Sequence, residues 1–136
     1  MASKWLFKSD PEHYSYQDLA HDRRTVWDGV SNNLALKNLR NVRQGDEVMI
    51  YHSGAERAVV GQAKVLSDPY PDPKNKDARL VVVDIAAHRT LPRPVGLDEI
   101  KRQAGLKDFD LVRLPRLSVM PVSEKQWEAI LALAKE

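Results

Sequence analysis

Two β-prone runs, residues 47–52 and 58–66, are joined by a short connection that contains Gly54. In the first run Val48, Ile50 and His52 alternate with Met49 and Tyr51. A period of two places alternate side chains on opposite faces, and a brief glycine-containing link returns the chain antiparallel. The pair reads as a β-hairpin, and any fold for this chain has to be built around it. Gly61 interrupts the second run. It marks a bulge or a close approach of another group to the backbone.

The flanking segments are all short. Residues 4–8 read as a strand with Trp5 and Phe7 on one face and Leu6 on the other, ended by Ser9-Asp10-Pro11. Ser15, with Asp18 three residues on, caps a short helix that turns Leu19 inward, and 21–24 is a polar turn. Residues 24–27 form a strand that runs into Trp27-Asp28-Gly29-Val30-Ser31-Asn32. A helix follows over about 32–40, with Leu36 and Leu39 on one side. Residues 68–77, with Pro69, Pro71 and Pro73 beside Lys74 and Lys76, form an exposed loop. Residues 80–86 are a strand whose Val81-Val82-Val83 run suits burial on both faces, broken at 91–94. A short helix covers 96–104 with Leu97 and Ile100, and 111–119 is extended. Ser123 and Gln126 make a capping box for a last helix with Trp127, Ile130, Leu131 and Ala134 on its inner face.

No regular long helices separate the strands, so a doubly wound parallel sheet does not fit. The pattern predicts an α+β fold in a single domain, 1–136: a small, mixed but mostly antiparallel β-barrel with short helices around it.

Composition excludes several functions. The chain has 136 residues, a net charge of +2 and no cysteine. Disulfides, thiolate metal sites and cysteine nucleophiles are therefore out, and a cytoplasmic location is expected. Lys4, Lys8 and Asp10 interrupt the first apolar residues, which does not suit a signal peptide, and no run is long enough for a membrane span. There is no phosphate-cradling glycine loop. His13, His21, His52 and His88 lack metal-ligand spacing, so no metal or cofactor is expected. His52 and Ser53 are adjacent in a strand and point to opposite faces, which does not suit a base–nucleophile pair.

Three strands finish in polar or aromatic side chains: Lys8-Ser9-Asp10, Trp27-Asp28 and Tyr51-His52-Ser53. Ligand mouths form at such ends, although strand ends are also polar simply because they reach solvent. Trp27 reads either as a core anchor or as a stacking wall at a helix N-terminus. Arg40, Arg43, Lys74, Lys76, Arg113 and Arg116 either follow a phosphate backbone or form a solvated surface.

Six ordered stretches resemble the EVE domain: Trp5-Leu6-Phe7-Lys8-Ser9-Asp10-Pro11 with Tyr14-Ser15 and Asp18-Leu19; Trp27 to Asn32; Gly45-Asp46 with Tyr51-His52-Ser53; Val60-Gly61 with Ala63 and Val65; Pro94-Val95 with Leu97; and Arg116-Leu117-Ser118-Val119 with Pro121-Val122 and Trp127. The resemblance covers nearly the whole chain. It implies a PUA-like fold, similar to the YTH readers of methylated adenine. It also implies the binding of modified cytosines in nucleic acid that is associated with EVE members such as the thymocyte nuclear protein group.

By that resemblance Trp27 is a wall of a base pocket. Asp28, Ser31 and Asn32 contact the base or its sugar, while Lys8, Ser9, Asp10, Tyr51, His52 and Ser53 line the same mouth. Arg116 and Ser118 are further contacts. The chain departs from the family pattern where Ser31 and Leu36 replace arginines and where Leu80 or Arg79 replaces an aromatic. The expected function is a non-enzymatic, monomeric module that binds DNA or RNA carrying a 5-methyl- or 5-hydroxymethylcytosine type of base. The alternatives are an enzyme on RNA or a nucleotide using His52, with Lys8 or Asp10 assisting, and a small-molecule or protein-interaction domain.

Overall fold

The computed structural model describes residues 2–136. Along the chain its elements are β1 (Lys4–Ser9), α1 (Tyr16–Asp22), β2 (Arg24–Trp27), α2 (Asn33–Arg40), β3 (Glu47–His52), β4 (Ala58–Val65), β5 (Tyr70–Pro71), β6 (Val81–Gly96), α3 (Leu97–Arg102), α4 (Asp110–Arg113), β7 (Val119–Val122) and α5 (Glu124–Ala134), with a 3-10 turn at Ala104–Leu106 between α3 and α4. The hairpin forms as its pattern requires: β3 and β4 pair antiparallel, with His52 opposite Ala58.

The strands run in the order β2-β6-β4-β3-β1-β7, and β5 adds to β6. All pairs are antiparallel except β1 with β3, which run in parallel from Lys4 opposite Glu47 to Ser9 opposite His52. The α+β class is as expected, but the ladder does not close into a barrel. Its two end strands, β2 and β7, are only four residues long and do not pair. Helix α2 spans that gap instead. It touches both β6 and β7, buries Ala35, Leu36 and Leu39, and its Asn38 Nδ2 donates to the Val119 carbonyl at 2.8 Å. A helix face thus covers an edge that would otherwise be open to pairing.

Four segments differ from their sequence pattern. Within the loop expected at 68–77, Tyr70 and Pro71 pair with Val82 and Val81 as β5. Strand β6 continues through Pro92 and Pro94. Thr90 pairs with Gly61 and Val95 with Val59, so residues 91–94 face Val60 alone. The prolines sit in a bulge, where a missing N–H costs no ladder bond. Residues 111–119 are not extended: Asp110–Arg113 form a helical turn that buries Leu111, and the strand begins only at Val119. The turn expected at 21–24 starts later, because α1 runs to Asp22 and Arg23 caps it at φ 71°.

Gly61 meets both of its expectations. The β3–β4 and β4–β6 registers shift beside it, and a Cβ there would lie 2.4 Å from the Tyr16 ring. That ring is buried on the glycine, and its hydroxyl donates to the Gln62 carbonyl at 2.7 Å.

Asp46, 5% exposed, holds the start of the parallel pair. It accepts from Ser3 N (3.0 Å), the Trp5 indole (2.9 Å) and Arg43 N (2.8 Å). Arg93 and Glu99 join β6 to α3 through two hydrogen bonds at 2.7 and 2.9 Å, and Glu99 also accepts from Gly96 N.

Two outcomes are expected. Asp46→Ala orphans three donors and should lower the unfolding free energy by about 2–4 kcal/mol in a denaturant titration. Glu99 is held down to about 2 from an ordinary 4.5, first by its Arg93 hydrogen bonds and then by Gly96 N–H. A depressed carboxylate stabilises the fold above its unfolded pKa and loses that contribution as pH falls through the folded one. Thermal melts of wild type and Glu99→Gln should therefore differ at neutral pH and converge between about pH 4.5 and 2.

Candidate functional site

The ends of β1 and β2, together with the residue just before β7, surround one cleft of about 740 Å³. Lys8, Ser9 and Asp10 come from β1 and the turn after it. Trp27, Asp28, Gly29 and Val30 come from β2 and its corner, and Ser118 from the approach to β7. Thr25, Val26, Tyr14, His13 and Lys74 complete the wall. The corner folds as a strand turning into a helix: Gly29 takes φ 76°, and the Asn32 side chain caps α2 by accepting from Ala35 N at 3.1 Å.

Trp27 is a core anchor, the first of the two roles its sequence context offers. It is 8% exposed and packs on Phe7 with ring centroids 5.6 Å apart, while Tyr14 stands edge-on at 6.5 Å. It also lines the cleft. The Tyr14 hydroxyl donates to Asp22 at 2.8 Å. Burial, and then that carboxylate, raise the Tyr14 pKa.

Lys8 is the cation built into the cleft. Its ammonium donates to the Pro115 carbonyl at 2.7 Å and lies 5.5 Å from the centre of the Tyr51 ring. Burial pushes its pKa below the ordinary lysine value. The Ser9 hydroxyl donates to the Tyr14 carbonyl at 2.5 Å. Asp10 accepts from Glu12 N at 2.9 Å, and its carboxylate lies 3.8 Å from His13. Asp28 is exposed within the cleft.

Tyr51, His52 and Ser53 do not line the cleft; they stand beside it as its support. The parallel register sets Tyr51 beside Lys8 and His52 beside Ser9, and Ser53 N donates to the Ser9 carbonyl at 2.9 Å. His52 is 2% exposed. Its Nε2 lies 2.9 Å from Tyr16 N and its Nδ1 lies 2.6 Å from a Glu56 oxygen. A backbone N–H only donates, so Nε2 is the acceptor and Nδ1 carries the proton given to Glu56. Both ring nitrogens are thus occupied, and neither Lys8 nor Asp10 is among their partners. The enzyme alternative based on His52 loses its acid or base.

Ser31, Asn32 and Arg116 also lie outside the cleft. Asn32 and Arg116 border a separate hollow of about 340 Å³ with Leu34 and Pro115. Ser31 offers its carbonyl, not its hydroxyl, to Arg79 at 3.1 Å, and the same guanidinium donates to Asn33 at 2.7 Å. Leu36 is fully buried. An arginine therefore does reach the corner, but from the segment just after the proline-rich loop. Lys74, which the sequence offers only as one of several cations for a phosphate backbone, lines the cleft; Arg79, which with Leu80 stands where the family has an aromatic, reaches the corner. Other cations are spent locally: Arg40 donates to the Arg79 carbonyl, Arg43 to the Arg40 and Val42 carbonyls, and Arg113 to Asp110. Among the described residues no cluster of three or more histidines and carboxylates is placed to hold a metal ion, and no helix is long and apolar enough to cross a membrane.

A family profile described as EVE domain matches residues 3–133. The chain belongs to the EVE domain family. It is similar to thymocyte nuclear protein 1 of Rattus norvegicus, at 30% identity over 98% of this chain and 74% of that one. The fold superposes on Rpa0253 from Rhodopseudomonas palustris with a TM-score of 0.93 at 32% identity, covering 98% and 94% of the two chains. It superposes on human THYN1, solved in complex with 5-methylcytosine containing DNA, with a TM-score of 0.90 at 28% identity, covering 99% of each chain. The PUA-like class expected for an EVE domain is the class found.

If His52 is a structural post of this EVE domain, His52→Ala leaves Tyr16 N–H buried without a partner. Chemical denaturation should show a loss of about 1–3 kcal/mol.

Proposed function

We propose that this EVE domain is a nucleic-acid-binding module that takes an extruded, modified cytosine into the cleft beside Trp27. The observation that carries this reading is the composition of the cleft. An aromatic wall, rigidly backed by Phe7, stands among the Lys8 ammonium and the carboxylates of Asp10 and Asp28. The superposition on a protein solved with 5-methylcytosine containing DNA supports the same reading.

The chemistry is that of binding. A base turned out of a helix loses its stacking, and an aromatic side chain returns about 1–3 kcal/mol of it. Cytosine presents its N4 amine as a donor, which a carboxylate accepts. Asp28 and Asp10 supply such acceptors, and Lys8 supplies a donor for the opposite polarity of the base edge or for a phosphate. A methyl or hydroxymethyl group at C5 adds contact that a fitted wall senses at about 1–3 kcal/mol. None of these roles needs a bond to break.

Titration of matched DNA and RNA oligonucleotides carrying cytosine, 5-methylcytosine or 5-hydroxymethylcytosine tests the reading. One modified form should bind at least about tenfold tighter than plain cytosine. Trp27→Ala should cost about 1–3 kcal/mol of binding. Because Trp27 also packs in the core, Asp28→Ala serves as a second, exposed variant and should weaken the binding of all three cytosine forms, which share the N4 amine. Equal affinity for all three bases would sink the modified-base reading.

A further inference from the structure

A second groove of about 630 Å³ lies at the other end of β2. Its polar lining is Arg23, Arg24, His88, Arg89, Thr90 and Tyr16, over a floor that includes Ala86 and Ala87. No carboxylate lines it. Arg23, Arg24 and Arg89 are exposed. Among the described residues none of the three has a side-chain hydrogen bond or an ion pair, whereas Arg79, Arg93 and Arg113 all have acidic partners. The net charge of the chain is only +2, so this groove gathers positive charge that the total conceals.

Two backbone features aim these side chains. Ala87 pairs with Ala63 and Arg89 with Gln62, so His88 is an extra, bulged residue. A bulge redirects the side chains beside it. Arg23 caps α1 at φ 71°, a conformation that glycine takes readily and that costs a residue with a Cβ roughly 1–2 kcal/mol. An arginine held there keeps a cation at the groove despite that cost.

We infer that Arg23, Arg24 and Arg89 form a track for the sugar-phosphate backbone of a nucleic acid whose base sits in the Trp27 cleft. The inference rests on the base-binding reading above and adds a second contact surface to it. Strand β2 joins the two places. Arg24 lines the groove, and Thr25, Val26 and Trp27 line the cleft. A strand rises about 3.3 Å per residue, so Arg24 and Trp27 are about 10 Å apart along β2. Stacked nucleotides advance about 3.4 Å each, so the separation matches about three nucleotides of one strand. Guanidinium groups without protein partners suit phosphate oxygens, to which they can donate two parallel hydrogen bonds.

The test measures affinity against salt concentration, using an oligonucleotide with plain cytosines and its 5-methylcytosine counterpart. For the double variant Arg24→Gln/Arg89→Gln, the magnitude of the log–log slope should fall by about 1.4 on single strands and about 1.8 on duplex, with the preference between the two bases unchanged. Arg23→Gly relaxes the backbone while removing the charge. It should keep or raise the melting temperature and still weaken binding. An unaltered slope in the double variant, unaltered binding by Arg23→Gly, or no binding of either oligonucleotide by the wild type would overturn the track. A wild type that binds both oligonucleotides equally, yet loses slope in the double variant, upholds the track and rejects only the modified-base reading.

Discussion

A buried carboxylate fixes the register on which the site depends. Asp46 takes donors from Ser3, Trp5 and Arg43 at once, so the first strand and the α2–β3 connection are tied at a common starting point. Glu47 N then donates to the Ser3 carbonyl, and the parallel pairing of β1 with β3 follows residue by residue to Ser9 beside His52. A slip of one residue would turn every side chain of β1 to the other face. Lys8 would leave the cleft, and Phe7 would lose Trp27. Proper placement of the functional end of the strand is thus decided at the opposite end.

The same ladder explains why two of the polar strand ends differ in role. Lys8–Asp10 opens onto the cleft, while Tyr51–Ser53, one strand deeper, is covered. His52 links Tyr16 N to Glu56, Ser53 holds the Ser9 carbonyl, and Tyr51 supports the Lys8 ammonium from below. Buried polar groups of this kind are satisfied pairwise. That makes His52, with both ring nitrogens engaged, a support for the cleft.

Much of the fold was legible because its signals are local. The hairpin, the Ser15 and Ser123 caps and the Trp27-to-Asn32 corner all rest on contacts within a few residues. Gly61 announced a close approach, but only the structure named Tyr16 as the neighbour. Two patterns misled. Pro92 and Pro94 look like a strand break, yet they fall where β4 contributes only Val60. Residues 111–119 read as extended, yet Asp110–Arg113 turn helically and bury Leu111. Both outcomes are set by the facing element, which the local sequence does not contain.

The sequence by itself determined the class of fold, the family to which the chain belongs and the corner at Trp27, since these follow from short-range periodicity, caps and ordered motifs. Only the tertiary structure decided which polar strand ends share a cleft, that the sheet stays open under α2, and that Arg79 rather than residue 31 or 36 supplies the guanidinium at the corner. It alone brought Arg23 and Arg24 beside Arg89, whose positions lie more than sixty residues apart in the chain. Register and strand order are long-range properties. They are fixed by which buried groups must be satisfied together, and that requirement appears only once the chain has folded.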